Sequence, residues 1–250
     1  MDKVIAILQA RLQSDRLPGK IIADICGRPM ITHIIDRLHA TPGIDRVVMA
    51  VPRDDFAILR PIAEKNGAEI QPGSPNDVLG RFYSAALRFE SPYVVRATAD
   101  NPLIDTFMLS RCIEQCLTGK WDLVGCRGLP LGAAAETFPT GLLELLNSCA
   151  TQDYHREHVT AYLYEHENEF RIKRLNVPQR LKAPRLRLTV DAPEDLILIR
   201  RIYENLYQPG KVIELEQAIG FLRDNPELAS LNSRVRQRTW RKRENKAAVA

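Results

Sequence analysis

What the sequence lacks narrows the field first. No apolar stretch is long enough to cross a membrane: the run inside MDKVIAILQAR stops at Leu8, and no small-residue cleavage site follows it. A cytoplasmic protein is expected. The five cysteines (Cys26, Cys112, Cys116, Cys126 and Cys149) are odd in number and form no CxxC pair, which excludes zinc ribbons and dithiol redox motifs and leaves reduced, mostly buried thiols. There is no internal repeat or low-complexity stretch. Two common phosphate-binding signatures are also missing. No GxGxxG occurs, and a P-loop would need Gly where Ser14 stands and Ser or Thr where Ile21 stands.

Nor is there a basic surface of the kind that marks nucleic-acid binding. The net charge of +4 sits at the C-terminal end, where residues 226–250 carry seven Lys or Arg against Glu227 and Glu244; the remainder holds 28 bases and 29 acids. Residues 234–246, RVRQRTWRKRENK, interleave Trp240 with cations and are read as a solvated tail rather than a nucleic-acid contact. The division expected is one main domain over residues 1–225 and a basic tail over 226–250.

What is present is ample material for a core, 45% apolar residues in a chain of 250. Short β-branched runs alternate with stretches of helical period, the pattern of an α/β protein whose mostly parallel sheet carries helices on both faces. Strands are expected at Val4–Leu8, Arg46–Val51, Ala68–Gln71, Tyr93–Ala97, Asp122–Gly125 and Leu186–Val190. Helices are expected at Met30–Leu38, Asp77–Phe89, Thr106–Leu117 and Pro193–Leu206, and over Asp54–Asn66 with a kink or late start because of Pro61. Residues 127–185 break the alternation with a Gly/Ala/Pro-rich loop, helices near Gly141–Cys149 and Asp153–His166, and an extended Phe170–Val177. They read as an insertion before the last strand.

Two regions carry candidate chemistry. The loop QARLQSDRLPGK, residues 9–20, places Arg11, Arg16 and Lys20 at the carboxyl end of the first strand, where open α/β sheets bind ligands. Three cations on a turn holding Pro18 and Gly19 can either solvate the loop or wrap a triphosphate. In RATADNPLID, residues 96–105, Asp100 follows a buried strand, and in RLRLTVDAPEDL, residues 185–196, Asp191 ends the last strand candidate. Such strand-end carboxylates suit Mg²⁺, which takes one or two of them together with phosphate oxygens and water. Asp191 could equally cap the following helix, and Glu194 and Asp195 fit its first turn by favourable interaction with the helix dipole.

Six blocks in order, QARLQSDRLPGK, GRPMITHIIDRL, GSPNDVLGRFYSAA, VRATADNPLID, DYHREHVTAYL and RLRLTVDAPEDL, resemble the cytidylyltransferases of the spore-coat polysaccharide protein F type. These are cousins of the enzymes that make CMP-activated acidic sugars, such as the KDO and acylneuraminate synthetases. The resemblance covers residues 1–208 and implies a Rossmann-like nucleotidyltransferase fold, CTP as donor, Mg²⁺ as cofactor and a homodimer. It assigns Arg11, Arg16 and Lys20 to the triphosphate, the backbone of Leu8, Gln9 and Ala10 to base or ribose, and Asp100 and Asp191 to the metal. It places Ser74, Asp77 and Arg81 near the nucleotide, and Glu136, Arg156, Glu157 and His158 at the acceptor.

The sequence departs from the family pattern in LPLGAAAETF, residues 129–138, where Leu131 and Ala134 stand in place of an arginine and an aspartate ahead of the retained Glu136. His155 and His158, three apart, have no further ligand at zinc spacing. The activity expected is transfer of CMP from CTP to an acidic sugar-like acceptor for surface polysaccharide or glycoconjugate synthesis. A phosphate or phosphonate acceptor giving a CDP-like product is the first alternative. A non-catalytic nucleotide-binding module with a nucleic-acid-binding tail is the second.

Overall fold

The computed structural model describes residues 3–237. After β1 (Val4–Gln9), a two-residue hairpin of β2 (Asp24–Ile25) and β3 (Arg28–Pro29) leads into α1 (Met30–His39). Then come β4 (Arg46–Pro52), α2 (Phe56–Lys65), β5 (Glu69–Gly73), α3 (Val78–Arg88), β6 (Tyr93–Thr98) and α4 (Thr106–Cys116). β7 (Leu123–Arg127), β8 (Glu136–Pro139), α5 (Thr140–Cys149), α6 (Asp153–Glu157) and α7 (Ala161–Glu165) follow. β9 (Ile172–Asn176), α8 (Pro193–Leu206), α9 (Leu215–Asp224) and α10 (Pro226–Ser230) complete the described elements.

Seven strands form one sheet in the order β5-β4-β1-β6-β8-β7-β9. β1 is apolar at nearly every position because it pairs in parallel with β4 on one side and β6 on the other, and is covered on both faces. The strand period of two sorts its side chains. Val4, Ala6 and Leu8 meet α1, α2 and α4 on one face, while Ile5 and Ile7 meet α3 and α5 on the other. A third apolar cluster, built on α8 and α9, gathers Leu188 and Val190 beyond the end of the sheet.

The chain leaves β1 toward β4 but leaves β6, through α4, toward β7 on the opposite side. The two outgoing loops therefore diverge from neighbouring strands, and a crevice opens between them. This is the place where doubly wound sheets take their ligands.

The sheet differs from expectation on its far side. Leu186–Val190 is no strand of the sheet; it makes one bridge, Leu131 to Arg187, and its Val190 N–H donates to the Asp100 carbonyl at 2.7 Å. The position beside β6 is already filled by β8, which pairs antiparallel to both β6 and β7. Residues 127–185 thus supply β8 and the edge strand β9, parallel to β7, and are not an insertion ahead of a last strand. The helix expected over Asp153–His166 is broken at His158, which is extended (φ −112°, ψ 92°) ahead of the β-branched pair Val159 and Thr160. α2 starts late, at Phe56 after a 3₁₀ turn over Arg53–Asp55, and runs through Pro61.

The folded part also extends past residue 225. α10 packs beside α8 and α9, and Asn232 is 3% exposed. Trp240 and the basic residues from 238 onward lie outside the described residues.

Phe138, in β8, is fully buried among α3, α5 and the sheet. Phe138→Ala is expected to lower stability by about 3–5 kcal/mol, read from the urea midpoint at unchanged slope. A loss under about 1 kcal/mol would mean that β8 is not packed as described.

Candidate active site

The loop after β1 is closed at its neck, where the Gly19 N–H donates to the Leu12 carbonyl at 2.9 Å, and is tied to the scaffold by Asp55 accepting from the Leu12 N–H at 2.8 Å. Gly19 has φ +70°, a left-handed turn that costs glycine little, and it feeds a 3₁₀ turn whose Ile21 is buried. The buried isoleucine fixes the backbone on either side. Lys20 is thereby aimed back into the crevice.

Across the crevice, the segment 189–191 is stitched to the end of β6 by the Val190 N–H and the Thr189 hydroxyl, both donating to the Asp100 carbonyl. The approach is tight. Gly132 (φ +92°) lies where a Cβ would stand 2.4 Å from the Thr189 nitrogen, so only glycine fits.

These supports bring Asp100 and Asp191 together over one ammonium group. Lys20 Nζ lies 3.4 Å from Asp100 Oδ2, 3.1 Å from Asp191 Oδ1 and 2.5 Å from the Val190 carbonyl. Arg16 reaches Asp191 Oδ2 at 3.3 Å, and Arg187 donates to the same oxygen at 2.8 Å. Burial alone would raise the Asp191 pKa, but Lys20, Arg16 and Arg187 outweigh it and hold the carboxyl below its ordinary value. Asp191 is no helix cap; its charge is spent on side-chain cations.

Arg187 is held in turn by Asp195, a fully buried carboxylate that accepts from Arg187 Nε at 2.9 Å and Nη2 at 3.2 Å. Asp195 also accepts from Asn232 Nδ2 at 2.8 Å and from the Asp191 and Ala192 backbone N–H groups at 2.9 and 3.0 Å. It does serve the start of α8, as its sequence position suggests, and in doing so it fixes the backbone of Asp191. Gln237 accepts from Arg187 Nη1 at 2.5 Å, and the Arg236 carbonyl accepts from Arg16 at 3.4 Å. Asn232, Arg236 and Gln237 therefore help to hold the site, and Gln237 lines it.

The crevice is a cavity of about 580 Å³. Of the residues singled out from sequence, Gln9, Ala10, Arg11, Arg16 and Lys20 line it on the β1 side, and Asp100 and Asp191 line its floor. Arg81, Glu157 and His158 line the opposite end, with Arg11 and Glu157 paired at 3.3 Å near the rim. Burial, reinforced by Arg96 and Arg11 over the opposing pull of Glu157, lowers the His158 pKa and favours its neutral form.

The other expected residues stand behind the wall. The Leu8 side chain is in the core. Asp77 caps α3 by accepting from the Gly80 N–H at 2.8 Å, and Ser74 turns its carbonyl to Arg81. Arg156 donates to Asn147 Oδ1 at 2.6 Å and to its carbonyl at 3.1 Å, closing the end of α5. Glu136 is surrounded by donors: Arg96 at 3.1 Å, Thr160 at 3.0 Å and Tyr164 at 2.5 Å. It positions Arg96, which lines the cavity where sequence reasoning had put Glu136 itself.

Arg96 and Arg187 are thus the residues missed. Each had a signal, an arginine with apolar neighbours on both sides, in VVRATA and RLRLTV. A charge so placed needs a buried partner. Among the described residues no group of three or more His, Cys, Asp or Glu is placed to hold a metal ion. His155 bonds Glu165 at 2.8 Å, apart from His158 in the cavity.

Asp195→Asn keeps the shape but leaves Arg187 short of its buried counter-charge, so a loss of about 3–5 kcal/mol is expected in urea unfolding. For Asp191 the folded pKa lies below the unfolded value, so its contribution to stability is complete above about pH 4 and is lost as pH falls through the lowered value. The stability gap between wild type and Asp191→Asn should hold from neutral pH to about pH 4 and narrow below it, measured by unfolding across pH.

Comparison with known proteins bears on the family and the fold. The chain is 33% identical to an uncharacterized protein of Methanocaldococcus jannaschii over 96% of its own length and 98% of that protein's. It is 28% identical to spore coat polysaccharide biosynthesis protein SpsF of Bacillus subtilis, over 92% and 98% of the two chains. A partial match, 31% identical over 46% of this chain and 45% of the other, is to a 3-deoxy-manno-octulosonate cytidylyltransferase of Trichlorobacter lovleyi. The solved structure of a cytidylyltransferase from Leptospira borgpetersenii superposes with a TM-score of 0.84 at 27% identity, covering 96% of this chain and 99% of that one. The cytidylyltransferase family model matches residues 5–225, and the chain belongs to that family of CTP-dependent nucleotidyltransferases.

Proposed function

We propose that the protein transfers CMP from CTP to an acidic, sugar-like acceptor with release of pyrophosphate, in the synthesis of a surface polysaccharide or glycoconjugate. The observation that carries this reading is the convergence of Asp100 and Asp191 with Arg16 and Lys20 in one crevice. A polyanion and a divalent cation both have partners there. Arg81 and Arg96 at the opposite end favour an anionic acceptor.

The site fits Mg²⁺. Two carboxylates already share one cation, the Lys20 ammonium, and Mg²⁺ asks for one or two carboxylates with phosphate and water completing its shell. When bound, the ion would neutralise phosphate charge. The protein's own share is positioning. Arg11, Arg16 and Lys20 hold the triphosphate in line, so that an acceptor oxygen forms its bond to the α-phosphorus as the bond to the β-phosphate oxygen breaks. Their charges stabilise the departing pyrophosphate. His158, neutral and in the cavity, is suited to take up the acceptor's proton. A homodimer, which the family resemblance implies, and a cytoplasmic location belong to this reading.

The test is pyrophosphate release from CTP, ATP and GTP against a panel of sugar acids, phosphosugars and phosphonates. CTP with a sugar acid is expected to give the highest kcat/KM, and Asp100→Asn to reduce it by roughly 10²–10³ at an unchanged melting temperature. Turnover confined to phosphosugars or phosphonates would move the acceptor to the CDP-forming class. CTP binding without turnover on any acceptor would make the protein a binding module.

A further inference from the structure

We propose that Lys20 is a built-in counter-cation that keeps the divalent-ion position closed in the free protein, so that the metal enters only together with the triphosphate. This rests on the reading of Asp100 and Asp191 as the metal ligands and adds the order in which that site fills.

The geometry is that of a stand-in ion. A lysine ammonium has three N–H donors and no acceptor. Lys20 directs its three at Asp100 Oδ2, Asp191 Oδ1 and the Val190 carbonyl, with the side chain 11% exposed. A surface lysine solvating its loop would leave donors to water. Mg²⁺ prefers oxygen ligands at about 2.0–2.1 Å, so an ion on these two carboxylates and the ammonium cannot share the space. The charges balance without a metal as well. Arg16, Lys20 and Arg187 face Asp100, Asp191 and Asp195, three against three. A divalent ion arriving alone would have to expel Lys20 while Arg16 and Arg187 still hold Asp191.

A triphosphate changes that balance. It brings charge of about −4 into the cavity that Lys20, Arg11 and Arg16 all line, and the flexible four-carbon stem of lysine lets the ammonium swing while Ile21 keeps the backbone in place. The carboxylates are then released to a divalent ion, and the lysine gains phosphate oxygens. Lys20 serves the carboxylates in the free protein and the nucleotide in the complex.

The experiment measures Mn²⁺ binding to the full chain by the electron paramagnetic resonance of free Mn²⁺, with and without CTP, in wild type, Lys20→Met, Lys20→Arg and Asp191→Asn. Without nucleotide, wild type should bind Mn²⁺ weakly and Lys20→Met tighter by about tenfold or more. Lys20→Arg, which keeps the cation, should stay as weak as wild type. CTP should tighten Mn²⁺ binding to wild type far more than to Lys20→Met. Melting temperatures of the variants confirm folding, and Lys20→Gln replaces Lys20→Met if the latter fails to fold.

Equal Mn²⁺ affinity of wild type and Lys20→Met without nucleotide overturns the proposal. So does tight binding to nucleotide-free wild type. If Asp191→Asn leaves Mn²⁺ affinity in the presence of CTP unchanged, the metal site itself has been misplaced, and the proposal falls with that reading. Because none of these measurements needs an acceptor, failure to identify one leaves the outcome unaffected.

Discussion

Two neighbouring parallel strands whose outgoing loops run in opposite directions set the terms for everything else. β1 and β6 are locked in register along their whole length, so the ends at Gln9 and Thr98 are level, and the loops that follow must diverge. A sheet cannot cover that spot with its own connections. The crevice must be lined by what the loops themselves carry, and both carry charge: cations from 11 to 20 and the carboxylate at 100. Of the remaining wall, one side comes from Thr189, Asp191 and Gln237, which close it over Gly132, and the far end from Arg81, Glu157 and His158.

Charge packed this densely and half removed from water must balance, or the group left over costs several kcal/mol. Three basic and three acidic side chains settle it, and they do so in a chain of dependence rather than as separate pairs. Asp195, with no exposure, fixes Arg187; Arg187 fixes Asp191; Asp191 and Asp100 fix Lys20. The outer members stay accessible and exchangeable, while the inner ones are bound by backbone N–H groups and by Asn232.

Much of this was legible in the sequence, and the exceptions have physical causes. β1, β4 and β6 read clearly because buried parallel strands are largely continuous apolar runs. β8 did not, since Glu136–Pro139 is short and follows an Ala/Gly stretch with no alternation. Leu186–Val190 has the composition of a strand but is buried by α8 and α9 rather than by strand neighbours. Composition reports burial, and a strand needs a partner besides. The cavity residues from the first loop were readable because three cations cluster at the carboxyl end of a buried strand, where open sheets leave their crevice. Arg156, Asp77 and Glu136 do not line the cavity; polar residues that close helix ends or orient an arginine look, in one dimension, like binding residues. Arg187 and Asp195 were undervalued because their pairing is visible only once α8 folds back.

The dependence of Asp191 on Arg187, Asp195 and Asn232 bears on how the protein is made. The strand and loop that hold Lys20 are synthesised first, yet Asp191, the carboxylate that Lys20 shares with Arg16, lies 171 positions downstream of the lysine. Contacts of such sequence separation form late, after most of the loop-closure entropy has been met by the core. During translation the N-terminal sheet can assemble around β1, β4, β5 and β6 with its cationic loop still unmatched. A nascent chain halted before Asn232 would carry a near-complete fold whose buried Asp195 still lacks the amide that ties it down from the far end of the chain.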